Sequence, residues 1–168
     1  MSAGDKTGEF EQVVRAYSAD LYRYAYWLCR NRHQAEDLVQ EAFARAWKGW
    51  ADLREAALAK AWLIAILRNE HARSFSRKRP ELASGEADES ELPPVPSFEA
   101  GIETAQIVNR LPAAYREPLV LQVLGGFSCS EIAGIIGTSA GAVMTRLTRA
   151  RQALREQYTE AGKRRVSK

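Results

Sequence analysis

The sequence predicts an all-α protein of two small helical domains, joined by an acidic, proline-containing linker and ending in a C-terminal helix-turn-helix. Three observations carry this reading. Apolar residues recur at three- and four-residue spacing on both sides of the chain's middle, and no alternating strand pattern occurs. The segment PELASGEADESELPPVPSFEAG, from Pro80 to Gly101, holds four of the six prolines and has no period. The stretch SCSEIAGIIGTSAGAVMTRLTRARQALR, from Ser128 to Arg155, places two helix starts around one glycine turn. The expected organisation is a first domain over 10–79, a mobile linker over 80–101 and a second domain over 102–160. A length of 168 residues suits one ordinary domain or two small ones.

In the first domain, Tyr17, Leu21, Tyr24, Ala25 and Leu28 fall on one helix face. A second amphipathic helix follows, with Ala35, Leu38, Val39, Ala42, Phe43, Ala46 and Trp47 inward. Its other face carries Glu36, Asp37, Gln40, Glu41, Arg45 and Lys48. The pattern breaks from Gly49 to Leu53. A third helix, Leu58 to about Phe75, is apolar nearly all round at Trp62–Leu67, so its first half is expected to be buried. Its second half, from Arg68 to Arg79, turns cationic, with Glu70 its single acid. A helix anchored at one end and charged at the other offers that charge to a partner.

In the second domain, Ile102 to Leu111 reads as one helix, broken at Leu111–Pro112. Pro118 is expected in the first turn of the next helix, which Gly125–Gly126 ends. Ser128 and Ser130 can cap the helix after that, and Glu131 suits its N-terminus. Ile132, Ala133 and Ile136 should face inward. Gly137 supplies the turn, because a residue without Cβ takes a left-handed conformation cheaply. Ser139 is a fresh N-cap, and Val143, Leu147 and Leu154 form the buried stripe of the last helix. Arg146, Arg149, Arg151 and Arg155 lie on its other faces. Small residues at the N-terminus of a cationic helix fit a DNA major groove. A helical hairpin with a solvated basic face is the plainer reading, and the caps, turn and small residues together argue against it.

The net charge is only +3 but is unevenly placed. Two basic stretches flank a segment, Pro80 to Glu103, that has seven acidic residues and no basic one. That pattern suits two nucleic-acid contacts joined by something that avoids or mimics nucleic acid. The two cysteines, Cys29 and Cys129, form neither a disulfide framework nor a zinc signature. Cys29 and His33, four residues apart, could share a helix face, but two ligands do not close a structural metal site. His71, among basic residues, suits a surface or DNA-facing place better than a ligand role. No cofactor is expected, and no nucleophile with its base or phosphate-binding glycine loop stands out, so no catalysis is expected either. The N-terminus MSAGDKTGEFEQ has no apolar signal region and no apolar run is long enough to span a bilayer, so the expectation is a cytoplasmic chain without membrane insertion.

From about Phe10 to Arg155 the chain resembles bacterial RNA polymerase sigma factors of the extracytoplasmic-function group. AEDLVQEAFARAW, at Ala35 to Trp47, is similar to that family's core-polymerase-binding helix. AWLIAILRNEHARSFSRKRP, at Ala61 to Pro80, is similar to its promoter-melting helix. LPAAYREPLVLQVLGGFSCSEIAGIIGTSAGAVMTRLTRARQALRE is similar to its promoter-reading domain. The resemblance implies a dissociable specificity subunit that directs promoter recognition and melting. Its implied partners are core polymerase (the largest-subunit coiled coil and the flap), promoter DNA and an anti-sigma protein. Asp37, Leu38, Gln40 and Glu41 are the implied polymerase contacts, and an acidic, amide-bearing face suits arginines of a protein helix.

For the −10 element the resemblance implies Arg54, Asn69, Arg73, Arg77, Lys78 and Arg79, with LREAALAK (Leu53–Lys60) as the loop that holds a flipped base. Where the family loop commonly has Gly, Asp, Ser and an aromatic, this one has Ala56, Ala57, Leu58 and Ala59. For the −35 element it implies Ser139, Met144, Thr145, Arg146, Thr148 and Arg149. Met144 stands where the family usually has a cation, which turns that part of the reading towards an apolar contact. Arg149 is the candidate for bidentate reading of a guanine. The acidic linker is implied to occupy the polymerase channel that RNA later enters. The runner-up is a free-standing helix-turn-helix regulator of the response-regulator output type, which would dimerise on paired half-sites without polymerase. A helical nucleic-acid enzyme is the third class, disfavoured because the carboxylates cluster on one helix face and in the linker.

Replacing Glu86, Asp88, Glu89 and Glu91 by Ser is expected to leave the melting temperatures of both domains near the parent's and to change initiation in a reconstituted system. Calorimetry checks the first part. A large drop in Tm would mean that this segment folds against a domain.

Overall fold

The computed structural model describes residues 3–78 and 106–167; the expected linker and Arg79 lie outside them. Every regular element among the described residues is helical. The chain divides into two compact units, Met1–Pro93 and Pro94–Lys168.

The first unit is three helices packed pairwise. Helix α1, Ala3–Cys29, buries Leu21, Tyr24 and Ala25 and leaves Tyr17 and Leu28 half-buried. It begins seven residues before the expected domain start at Phe10, whose ring meets Phe43, Trp47 and Trp50 at centroid distances of 6.4, 5.1 and 5.3 Å. Arg30 ends α1 in a left-handed conformation (φ 52), its N–H donating to the Tyr26 carbonyl at 2.7 Å. A non-glycine residue there is strained by roughly 1–2 kcal/mol. Asn31 then caps α2, Arg32–Gly49, its side-chain oxygen accepting from Gln34 N–H at 3.0 Å.

Ala35, Leu38, Ala42 and Ala46 form the buried seam of α2, where three alanines let neighbouring helices approach closely. Val39 and Phe43 are half-buried. Trp47 departs from the expected inward face: it is 47% exposed, one side of its ring covered by Phe10. It lies where the inward arc of α2 runs out, and Trp50 takes the buried place instead, 6.3 Å from the Trp62 ring. Two short 3-10 turns, Trp50–Asp52 and Ala56–Leu58, lead into α3, Ala59–Lys78. Ala59, Leu63, Ile64 and Leu67 are buried. Trp62, Ala65 and Ile66 are only half-buried, so the first half of α3 is less enclosed than its composition suggests. With two helices as neighbours it is covered on one side and at the flanks.

The second unit opens with a helical stretch over residues 106–109, α4, in which Ile107 is buried beside Leu111. The first part of the expected Ile102–Leu111 helix falls outside the described residues. Helix α5, Ala113–Gly125, starts at Pro112, whose carbonyl receives Tyr115 and Arg116 N–H at 2.9 Å. Pro118 therefore sits inside α5 rather than in its first turn as expected, buried, and the Ala114 carbonyl has no N–H four residues on to receive. The helix starts one turn early because Pro112, with its fixed φ, is itself a good entry. Gly126 (φ 66) closes α5 and Gly137 (φ 73) closes α6, Cys129–Ile136, both in the left-handed conformation that their lack of Cβ makes cheap.

Ser128, not Ser130, caps α6, in a reciprocal box: its hydroxyl accepts from Glu131 N–H at 3.2 Å, and its own N–H donates to the Glu131 carboxylate at 2.7 Å. Ile132 and Ala133 face inward as expected, but Ile135 is buried in place of Ile136, which is the last helical residue and half-open at the turn. Helix α7, Ala140–Val166, is capped by Ser139, whose hydroxyl accepts from Ala142 N–H at 3.1 Å. Val143, Leu147 and Ala150 are buried against α5 and α6, while Leu154 is half-buried where α7 begins to leave the unit.

All four tryptophans belong to the first unit, so tryptophan emission reports on that unit alone. Leu63→Ala, at a fully buried site, is expected to destabilise it by about 2–5 kcal/mol. The midpoint of the fluorescence-detected urea transition should fall accordingly. A midpoint equal to the parent's would mean that the α1–α3 core is not packed as described.

Candidate functional site

The outward face of α2 carries Asp37, Gln40 and Glu41, all exposed and, at i, i+3 and i+4, adjacent on the helix surface. Leu38 departs from this group: it is 7% exposed and belongs to the buried seam, so it holds the helix in place rather than offering surface. Glu36 lies beside the patch and pairs with Arg32 at 3.2 Å. Glu41 lies 3.9 Å from Arg45, an exposed pair of little energetic weight. The α2 face is thus an acidic strip with an amide in its centre.

Sequence reasoning missed what Arg45 does next. It also pairs with Glu70 of α3, which is only 8% exposed, and Glu70 is in turn 3.3 Å from Arg73. One buried carboxylate therefore ties the acidic helix to the cationic half of α3. The signal was present: Glu70 is the lone acid of a basic run and precedes Arg73 by three residues. A second tie, Lys60 to Asp20 at 3.4 Å, joins the start of α3 to α1.

Between α2 and α3, Arg54 and Glu55 are exposed, and so are Ala56, Ala57 and Leu58, the last at 48%. The loop tip is an open apolar surface flanked by two charges. Asn69, Arg73 and Arg77 are exposed at four-residue intervals and line one ridge of α3. Of these cations Arg73 shares its charge with Glu70, whereas Arg77 has no ion pair among the described residues. The Lys78 side chain and Arg79 fall outside what the structure describes.

In the second unit the exposed face of α7 presents Gly141, Met144, Thr145, Thr148 and Arg149, opposite the buried Val143–Leu147–Ala150 seam. Arg146 is half-buried at the edge of that face. The Thr145 hydroxyl donates to the Gly141 carbonyl at 3.1 Å and the Thr148 hydroxyl to the Met144 carbonyl at 2.9 Å. Arg151 is drawn aside to the Gln122 side chain of α5. Ser139 serves first as the cap of α7.

A capped two-helix turn presenting an arginine-bearing face defines a helix-turn-helix DNA-binding protein, here with a separate helical unit that has an acidic face of its own. Residues 13–81 match the family Sigma-70 region 2, and residues 102–154 match Sigma-70, region 4. The chain is 31% identical over 167 residues to the ECF RNA polymerase sigma factor SigW of Bacillus subtilis, covering 90% of this chain and 89% of that one. It is 31% identical over 156 residues to SigM of Mycobacterium tuberculosis, covering 90% and 78%. Among solved structures it is similar to the sigma factor RpoE, in complex with the anti-sigma factor NepR, from Bartonella quintana. The TM-score is 0.75 at 28% identity, over 89% of this chain and 96% of that one. It is also similar to CnrH in complex with the cytosolic domain of CnrY, with a TM-score of 0.64 at 26% identity over 90% and 88%.

The chain belongs to the extracytoplasmic-function group of RNA polymerase sigma factors and acts in transcription initiation. The free-standing regulator is set aside by the first unit, which matches a sigma region rather than a receiver or dimerisation module. Among the described residues no helix is long and apolar enough to cross a membrane.

Proposed function

We propose that the two units divide the work of the sigma factor between protein and DNA as their surfaces suggest. The acidic strip of α2, Asp37, Gln40 and Glu41, docks on a cationic helix of core polymerase, where exposed carboxylates and an amide can receive arginines. The −10 element lies along the α3 ridge: Arg73 and Arg77, with Lys78 and Arg79, neutralise phosphates, and Asn69 presents an amide to a base edge. Arg54 and the Ala56–Leu58 tip receive an extruded base by apolar contact. Extrusion costs a few kcal/mol, which stacking there must offset. The outward face of α7 reads the −35 element, with Arg149 bidentate on a guanine and Ser139, Met144, Thr145, Arg146 and Thr148 around it.

The observation that carries this reading is the separation of surface types. The acidic face and the cationic ridge are both on the first unit but on different helices, and the second unit offers a capped, arginine-bearing helix. The chain performs no catalysis of its own; bond formation belongs to the polymerase, in the cytoplasm. The acidic segment between the units lies in the channel RNA later fills. The structurally similar sigma factor RpoE was solved with the anti-sigma factor NepR, and CnrH with the cytosolic domain of CnrY, which supports an anti-sigma protein as the inhibitor of this chain.

Gln40→Ala combined with Glu41→Lys is expected to weaken association with core polymerase while leaving helicity unchanged. Co-purification equal to the parent's would exclude α2 as the docking face. On the DNA side, Arg149→Ala should cost about 1–3 kcal/mol at the −35 element and relax discrimination at one base position. Replacing Arg77, Lys78 and Arg79 by Ala should instead weaken holoenzyme binding on every promoter and flatten its salt dependence by up to about 0.9 per lost duplex phosphate contact. Affinities for single-base promoter variants at several salt concentrations separate the two. A uniform loss for Arg149→Ala with an altered base preference for the cluster would reverse the assignment.

A further inference from the structure

Four residues make the centre of the exposed α7 face: Gly141, Met144, Thr145 and Thr148, at i, i+3, i+4 and i+7. None of their side chains offers a free donor. Met144 is 59% exposed, its side chain lying outside the α5–α7 core. Thr145 and Thr148 each spend their one hydroxyl proton on the carbonyl four residues earlier, at 3.1 and 2.9 Å. What remains outward is the two threonine methyls, the hydroxyl lone pairs and the Met144 thioether. The cations nearest this strip are Arg149 on one side and Arg151 on the other, where Gln122 receives it, and Arg155 follows on the same face two turns beyond Thr148.

The major-groove edges of a base pair are mostly acceptors that need donors: guanine N7 and O6, adenine N7 and thymine O4. The single apolar group exposed there is the thymine C5-methyl. A strip without side-chain donors is a poor match for guanine and a good one for that methyl. We propose that Met144 and the methyls of Thr145 and Thr148 form a thymine-methyl reader in the middle of the −35 contact. Arg149 sets the guanine beside it. This rests on the reading that the α7 face enters the major groove. It makes Met144 and Thr148 specificity-determining residues through methyl contact, with the hydroxyls kept inside the helix.

The test uses reconstituted holoenzyme and a promoter identified by transcript-start mapping. Each thymine of the −35 element, on either strand, is replaced in turn by deoxyuridine, which removes the methyl and nothing else. Holoenzyme affinity should fall about two- to fourfold at one or two of these positions, as burial of a single methyl implies. Met144→Lys should abolish the difference between thymine and deoxyuridine at one of them. Thr148→Val, which keeps the methyl, should bind within about twofold of the parent, whereas Thr148→Ser, which keeps the hydroxyl, should lose affinity and become insensitive to deoxyuridine at the position it reads. Circular dichroism of each variant verifies that α7 is formed. Deoxyuridine neutral at every position, an element with no thymine on either strand, or Thr148→Val weaker than Thr148→Ser overturns the inference. A scrambled −35 element separates the two levels. If scrambling lowers affinity and deoxyuridine does not, the methyl reader fails and the α7 reading stands. If scrambling has no effect, the α7 reading itself fails.

Discussion

A carboxylate taken out of water needs cations placed to receive it, and Glu70 is held almost completely within the first unit by Arg45 from α2 and Arg73 from its own helix. Much follows from that constraint. The pair joins α2 to α3 at one point of their packing, because a buried carboxylate left without its cation is costly. Because Arg45 also stands beside Glu41, the acidic strip of α2 and the cationic ridge of α3 are parts of one ion-pair chain: Glu41, Arg45, Glu70, Arg73. On the proposed reading, this chain ties the surface offered to polymerase to the one offered to phosphates.

In the second unit the two faces of one helix differ. The Val143–Leu147–Ala150 seam packs α7 on α5 and α6, and the opposite face is left exposed, free for the DNA contact proposed for it. Its starting point cannot drift, because Gly137 turns the chain in a left-handed conformation and Ser139 caps the first turn two residues later. The reciprocal Ser128–Glu131 box does the same for α6. The start and orientation of α7 are thus set by backbone caps rather than by its exposed side chains.

These caps were legible in the sequence because capping is local chemistry: a serine, a glycine and a glutamate at fixed offsets satisfy the open backbone groups of a helix end with no help from distant residues. The helical class, the inward stripes of α1 and α2 and the cationic second half of α3 were legible for a similar reason, since periodicity survives without tertiary information. What was not legible depended on contacts between distant residues. Glu70 stands out in the sequence as the lone acid of a basic run, but only the approach of Arg45 from another helix makes it a buried anchor. Leu38 is implied as a polymerase contact by the resemblance, whereas the helical spacing already puts it inward, in the seam where the structure finds it. Pro118 looked like a helix start and lies one turn inside, because Pro112 competes for the same role and precedes it. Arg30 in a left-handed turn and the early start of α1 had no local signal at all, the first because arginine is an unfavoured choice there, the second because its anchor, Phe10, is defined by rings from α2 and beyond.

The central claim is that this chain confers promoter choice on core polymerase rather than regulating from its own DNA site. Mapping transcript starts on fragmented genomic DNA with purified core polymerase, with and without the chain, tests it most directly. The account predicts a new set of starts, each preceded by two short sequence blocks at constant separation, and no retention of those fragments by the chain alone. Unchanged starts, together with symmetric paired half-sites bound by the chain without polymerase, would contradict it.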